Sequence, residues 1–298
     1  MVNNANKHPV KTQADLEQDG LRLYDSYMAS IYSSIKHTSY FHVYEKLLDP
    51  YRDKEVTFVE VGVLNGGSLF MWRDFFGPKV RIIGVEFNPD AKRWEEDGFE
   101  IHIGDQSDVN FWRDFYKKIG PIDVLLDDGG HSNEQQIVTV AESASHMNDG
   151  GVIIVEDTHT SYMAQFGNPS KYSFMNYAFD VVHSINNRFP AVKSSDNSVS
   201  LAVSSVGFYE SIVSFHIDRK DCFISTPTTN GGLSRDAVDF RHHGTLGRGI
   251  GSLRRKLFVK FNSFDPESRI ARLGTSVFSG VLFLQHRLSF QRQKKYFG

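Results

Sequence analysis

Val59-Glu60-Val61-Gly62-Val63-Leu64-Asn65-Gly66-Gly67-Ser68 decides how the chain is read. The apolar run Val56 to Val61 has the composition of a buried strand. Glycines 62, 66 and 67 make a turn, and Leu69-Phe70-Met71-Trp72 opens a helical pattern. Strand, glycine turn and helix together bring backbone amides close to a ligand at a helix N-terminus. The order of glycines is not the dinucleotide fingerprint G-x-G-x-x-G, because Gly62 and Gly66 are too far apart. Glu60, ahead of the first glycine, repels a pyrophosphate and suits an amino group or a backbone amide. For this segment alone, a tight βα turn that binds nothing is the plain alternative.

Working outward, the same design repeats. Val80 to Glu86 is a second apolar run, and its terminal acid stands where α/β folds hold a ribose diol. Phe99 to Ile103 leads into Gly104-Asp105-Gln106, Ile122 to Leu126 into Asp127-Asp128-Gly129-Gly130-His131, and Val152 to Val155 into Glu156-Asp157-Thr158-His159. Parallel strands that each finish in carboxylates put those groups on one edge, the ligand edge of an open sheet. Helix capping explains one or two such acids. It does not explain the adjacent pairs Asp127-Asp128 and Glu156-Asp157, which repel unless a positive charge sits among them.

These segments, with Phe208-Tyr209-Glu210-Ser211-Ile212-Val213, resemble the class I S-adenosylmethionine-dependent methyltransferases. More narrowly they resemble the metal-dependent sugar O-methyltransferases of the macrocin, mycinamicin and rhamnosyl type, a structural group that includes cephalosporin hydroxylase. The resemblance covers roughly residues 20 to 218. It implies an α/β fold, a Rossmann-like seven-stranded methyltransferase sheet with helices on both faces. It places Glu60, Gly62 and Gly66 around the methionine part of S-adenosylmethionine, Glu86 on the ribose, and Asp105 and Gln106 toward the adenine, with Ser68 and Asp127 as further cofactor-binding residues. Asp128, Glu156 and Asp157 match magnesium ligands, with manganese as the alternative ion, and His131 matches a general base working beside Asp128. Glu86 stands where Asp is commoner and Gly130 where Ser is common; neither change removes a carboxylate. The expected reaction is O-methylation of a sugar or glycoconjugate hydroxyl. A hydroxylase on the same scaffold, or a non-catalytic S-adenosylmethionine-binding protein, are the alternatives; the joint presence of Asp128, His131, Glu156 and Asp157 argues against the latter.

Composition bounds the remainder. With 298 residues, 40% of them hydrophobic, the chain can form one sizeable core and a smaller attachment. Cys222 is the single cysteine, which excludes an intramolecular disulfide framework and fits a reducing compartment. Met1 to Gln13 lacks the apolar core of a secretory signal, and no apolar run approaches the length needed to span a membrane. The expected location is cytoplasmic. Residues 1–50 read as an N-terminal helical lid, with helices over 13–48 carrying a tyrosine-rich face. Residues 51–218 read as the S-adenosylmethionine-binding domain and 219–298 as a basic C-terminal extension. From residue 241 onward twelve Lys or Arg face only Asp265 and Glu267. With apolar residues interleaved, that tail predicts peripheral contact with the inner face of a membrane, or docking on a second subunit in a homo-oligomer. No nucleic-acid motif accompanies the charge, so no nucleic-acid partner is expected.

Overall fold

The computed structural model describes residues 9–167, 170–190, 192–233, 290 and 293–296. The chain divides into two compact units, residues 1–227 and 228–298. Most of the basic run beyond residue 240 lies outside the described residues, and with it the expected membrane or subunit contact. In the second unit the described part is a short stretch after Thr228, Phe290 and a turn of 3₁₀ helix at Lys294–Tyr296. No helix among the described residues is long and apolar enough to cross a membrane.

Among its described residues the first unit has seven strands: β1 (Val56–Val61), β2 (Val80–Glu86), β3 (Glu100–Ile103), β4 (Ile122–Asp127), β5 (Met147–Val155), β6 (Val203–Tyr209) and β7 (Ile212–Ile217). Their spatial order is β3-β2-β1-β4-β5-β7-β6. The first five run parallel, and β7 enters antiparallel beside β5 and pairs with β6. The chain order reverses between β1 and β4, and in such sheets the crevice outside that point is where ligands bind. Strand β5 starts earlier than its apolar run suggests, because Asn148, Asp149 and Gly150 extend it at the exposed end away from that crevice.

Among the described residues, seven α-helices flank the sheet: α1 (Gln13–Asp19), α2 (Arg22–Ala29), α3 (Tyr40–Leu48), α4 (Gly67–Phe76), α5 (Val109–Ile119), α6 (Asn133–Ser143) and α7 (Phe174–Asn186). Side chains alternate across a strand, so the sheet sorts its apolar residues into two cores. Phe58, Ile82, Val124, Leu126 and Ile154 meet Leu23, Phe41 and Tyr44 from the N-terminal helices and Trp72 from α4. Val59, Ile83, Leu125, Ile153 and Val155 meet Trp112 of α5, Val140 of α6 and Phe174 of α7. Each large side chain buried this way contributes about 1.5–3 kcal/mol of transfer free energy. The N-terminal helices therefore share a core with the sheet.

The N-terminal region is not continuous helix. Between α2 and α3 the segment from Ser30 to Ser39 is extended and irregular. Its serines and β-branched residues bond or pack better outside a helix, which weakens helix propensity there. That break matters for the site.

Candidate active site

A cavity of about 610 Å³ opens at the carboxyl ends of β1, β2, β4 and β5. Gly62, Ser68, Glu86, Asp105, Gln106, Asp128, His131, Glu156 and Asp157 all line it. Side chains spread over about a hundred residues of sequence thus meet at one crevice.

At one end the walls are made by the turn after β1 and the tips of β2 and β3. Gly62 takes φ +89°, and a Cβ there would strike the Asp128 carbonyl, so only glycine allows this turn to lie against the end of β4. Glu86 organises the turn. Its Oε2 accepts the N–H of Val63 (2.8 Å) and of Leu64 (3.0 Å), and its Oε1 accepts those of Phe87 (2.8 Å) and Asn88 (3.0 Å). Burial alone would raise the Glu86 carboxyl; the four amides outweigh it and hold the group below the usual range. Asp105 accepts the Ser107 N–H (2.8 Å) and hydroxyl (2.7 Å) with one oxygen.

Three expected cofactor residues stand behind the wall rather than on it. Strand alternation turns Glu60 to the same face as Phe58, toward α4, where it is fully buried and accepts from Ser68 Oγ and Trp72 Nε1, both at 2.9 Å. Burial pushes its carboxyl up to about 7. Gly66 takes φ +72° under the Trp94 ring and shapes the turn without lining the cavity. Asp127 points to the opposite face from Asp128, where Gln106 Nε2 donates to its two oxygens at 3.0 and 3.2 Å. Gln106 in turn accepts the Gly130 N–H through Oε1 (2.8 Å). Asp127 and Gln106 thereby fix the loop that carries Asp128 and His131. Burial raises the Asp127 carboxyl above its ordinary value.

The other end is the carboxylate cluster. Asp128, His131 and Asp157 each offer a ligand atom, all within 4.8 Å of one another. His131 Nε2 is 3.4 Å from Asp157 Oδ2, and its Nδ1 is buried with no hydrogen-bond partner. Both residues have positive φ, 56° for His131 and 54° for Asp157. Such backbone strain in non-glycine residues concentrates at functional sites. Two carboxylates this close fit a divalent cation that prefers oxygen ligands, with the imidazole beside it. Glu156, expected as the third carboxylate ligand, has other partners. It follows Ile154 on the face of the N-terminal helices, and its side chain is only 2% exposed.

Those partners were not anticipated from the sequence. Lys36 Nζ donates to Asp128 Oδ2 at 2.5 Å and to Glu156 Oε1 and Oε2 at 2.8 and 3.0 Å. Tyr44 donates its hydroxyl to Glu156, and Tyr40 donates to Asp157. Burial works against the Lys36 charge, but Asp128 and Glu156 more than reverse this and raise the ammonium above its usual range. For Glu156, burial first and the neighbouring Asp128 second push the carboxyl up strongly. His159 stands next to the cluster, its Nδ1 paired with Ser211 Oγ. The available signal was Tyr40 and Tyr44, four residues apart on α3; Lys36, in the irregular stretch before that helix, carried none.

Residues 59–158 match a family model described as a methyltransferase domain. Over 135 residues, 43% of this chain and 35% of the relative, the sequence is 37% identical to the 8-demethyl-8-alpha-L-rhamnosyl tetracenomycin-C 2'-O-methyltransferase of Streptomyces olivaceus. It is 33% identical over 131 residues, 42% of this chain and 32% of the relative, to the mycinamicin VI 2''-O-methyltransferase of Micromonospora griseorubida. The matched region thus spans about a third of the length of these relatives. Among solved structures, the MycE methyltransferase of the mycinamycin biosynthetic pathway, in complex with Mg, S-adenosylhomocysteine (SAH) and mycinamycin VI, superposes with a TM-score of 0.59 at 23% identity. That match covers 78% of this chain and 58% of the other. The resemblance to sugar O-methyltransferases is borne out over the sheet, and the fold is theirs.

Proposed function

We propose that the protein is an S-adenosylmethionine-dependent O-methyltransferase that modifies a sugar hydroxyl on a glycosylated natural product or glycoconjugate, with magnesium or manganese in the carboxylate cluster. One observation carries this reading. A single cavity joins a cofactor-type end, built by Glu86 and the turn after β1, to a cation-type end, built by Asp128, His131 and Asp157. The relatives matched in sequence are named as O-methyltransferases of glycosylated natural products, which supports the acceptor class.

The residues divide the work. Gly62 and Ser68 border the position of the methionine part, and Asp105 lies toward the adenine. Glu86 holds the turn that receives the ribose. Each of its oxygens already accepts two amides, so the diol must share or replace one of these bonds. Asp128, Glu156 and Asp157 would hold the cation. A divalent ion held there would supply Lewis-acid polarisation and so lower the pKa of the sugar hydroxyl to be methylated. His131 takes the hydroxyl proton as the sugar oxygen forms its bond to the methyl carbon and the carbon–sulfur bond breaks. Asp157 and the Asp127–Gln106 brace keep His131 in place. The reaction needs an in-line approach of oxygen, carbon and sulfur, so this positioning carries much of the rate.

The test is transfer of labelled methyl from S-adenosylmethionine to a panel of rhamnosylated and related glycosylated acceptors. Product is expected with magnesium, lost on chelation and restored by added metal. Full transfer in chelated, metal-analysed protein would remove the metal from the account, and methylation confined to non-sugar acceptors would remove the sugar.

A further inference from the structure

The most unusual group in the cavity is the Lys36 ammonium. Its side chain is 2% exposed, and the three donors of an ammonium are matched by three carboxylate contacts, one to Asp128 and two to Glu156. Asp128 and Glu156 would repel each other in this arrangement without a positive charge between them. Lys36 supplies that charge from within the chain.

Lys36 is also part of a segment that lines the cavity. Ser33, Ser34, Ile35, Lys36 and His37 all line it. The segment is tied at its start, where Ser30 Oγ donates to the Gly67 carbonyl (2.8 Å), and at its middle, where the Tyr27 hydroxyl donates to the Ser34 carbonyl (3.0 Å). A Cβ on Gly67 would collide with the backbone carbonyls of Tyr32 and Ser33, so this strap lies directly on the N-terminus of α4. At its far end the strap is fastened to the carboxylates by Lys36.

We propose that Lys36 is an internal cation that competes with the divalent metal for Asp128 and Glu156, so that metal arrival displaces its ammonium and unfastens the strap over the cavity. This rests on the metal reading given above and adds an exchange to it: the cluster holds one cation at a time, tethered or free. Asp128 is shared by both arrangements, because it contacts Lys36 and belongs with His131 and Asp157. Glu156 is the residue that changes partner, from the ammonium to the metal side.

The full-length protein tests this with two readouts, neither of them activity. First, free manganese is measured by electron paramagnetic resonance during titration of the wild type, Lys36→Met and Lys36→Arg. Removing the competitor should tighten manganese binding on the order of tenfold in Lys36→Met. Lys36→Arg, which keeps the charge, should bind no more tightly than the wild type. Second, the wild type is labelled with an amine-reactive reagent and analysed by mass spectrometry. Lys36 should be protected without metal and become reactive at saturating manganese, which requires no variant to fold. Lys36→Met that binds manganese no tighter than the wild type overturns the exchange, as does a Lys36 amine that stays protected at saturation. If the wild type and both variants bind no manganese, the metal reading itself fails and the exchange falls with it.

Discussion

The two ends of the cavity are made in different ways. The end under β1, β2 and β3 is assembled by neighbours within the sheet: Glu86 accepts amides from its own strand end and from the adjacent turn, and Gly62 fits against the end of β4. The end under β4 and β5 is completed from far away, by Lys36, Tyr40 and Tyr44, which precede the carboxylates they contact by some ninety to a hundred and twenty residues. The first end is a local consequence of strand, turn and helix. The second requires the N-terminal helices to be packed before its charges are balanced. A cavity built this way separates its tasks, and substitutions should separate them too.

The largest separation is expected for Asp128→Ala. It removes a carboxylate of the cation cluster and should lower kcat on the order of 10³-fold, the scale of losing a principal electrostatic group. SAH affinity, measured by calorimetry, should change little. A parallel loss of both would mean that the two ends are not independent.

Next is Glu60, which lies between the ends without facing either. Its folded carboxyl is raised to about 7 by burial from a reference value of 4.5. A raised carboxyl favours the folded state at low pH, fully below the unfolded value, and this stabilisation is lost as pH rises through the folded one. The wild type should therefore lose on the order of 3 kcal/mol from this group between pH 4.5 and pH 8. Glu60→Gln should flatten that slope in urea unfolding at the two pH values. An unchanged slope would show that Ser68, Trp72 and Lys36 already compensate the charge.

Glu86→Ala should weaken SAH binding by about 2 kcal/mol, the scale of charge-assisted hydrogen bonds lost by the turn and the ribose. It should also lower Tm, because the Val63 and Leu64 amides lose their acceptor. Metal affinity should be unaffected, which is the mirror of Asp128→Ala. The smallest effect is expected for Tyr44→Phe, which deletes only the hydroxyl on Glu156. Outer partners of this kind typically tune metal affinity by about tenfold, read by manganese titration, and cofactor binding should be unchanged.

How much of this was legible in the sequence follows the same division. The strand ends at Glu86, Asp105, Asp128 and Glu156 could be read because an apolar run followed by acids is a local pattern, and parallel strands carry their ends to one edge. Even the direction of Glu60 was available from alternation, since two residues after Phe58 it must share the Phe58 face. Its acidity pointed toward a ligand, whereas the strand period sends it to Ser68 and Trp72. Lys36 carried no such local pattern. It sits in an irregular stretch inside the region read as helices, and its partners are fixed only by tertiary packing. Glu156 was recognised as part of the cluster, but its present partners, the ammonium and the Tyr44 hydroxyl, depend on that same packing.

The central claim is that the sheet edge alone forms the binding end for the methyl donor, independently of the cation cluster. Calorimetric titration of SAH into folded, EDTA-treated wild-type protein tests it most directly. One site per chain with micromolar affinity is expected, little altered by adding magnesium. Absence of binding by the folded chain, with or without metal, would contradict it.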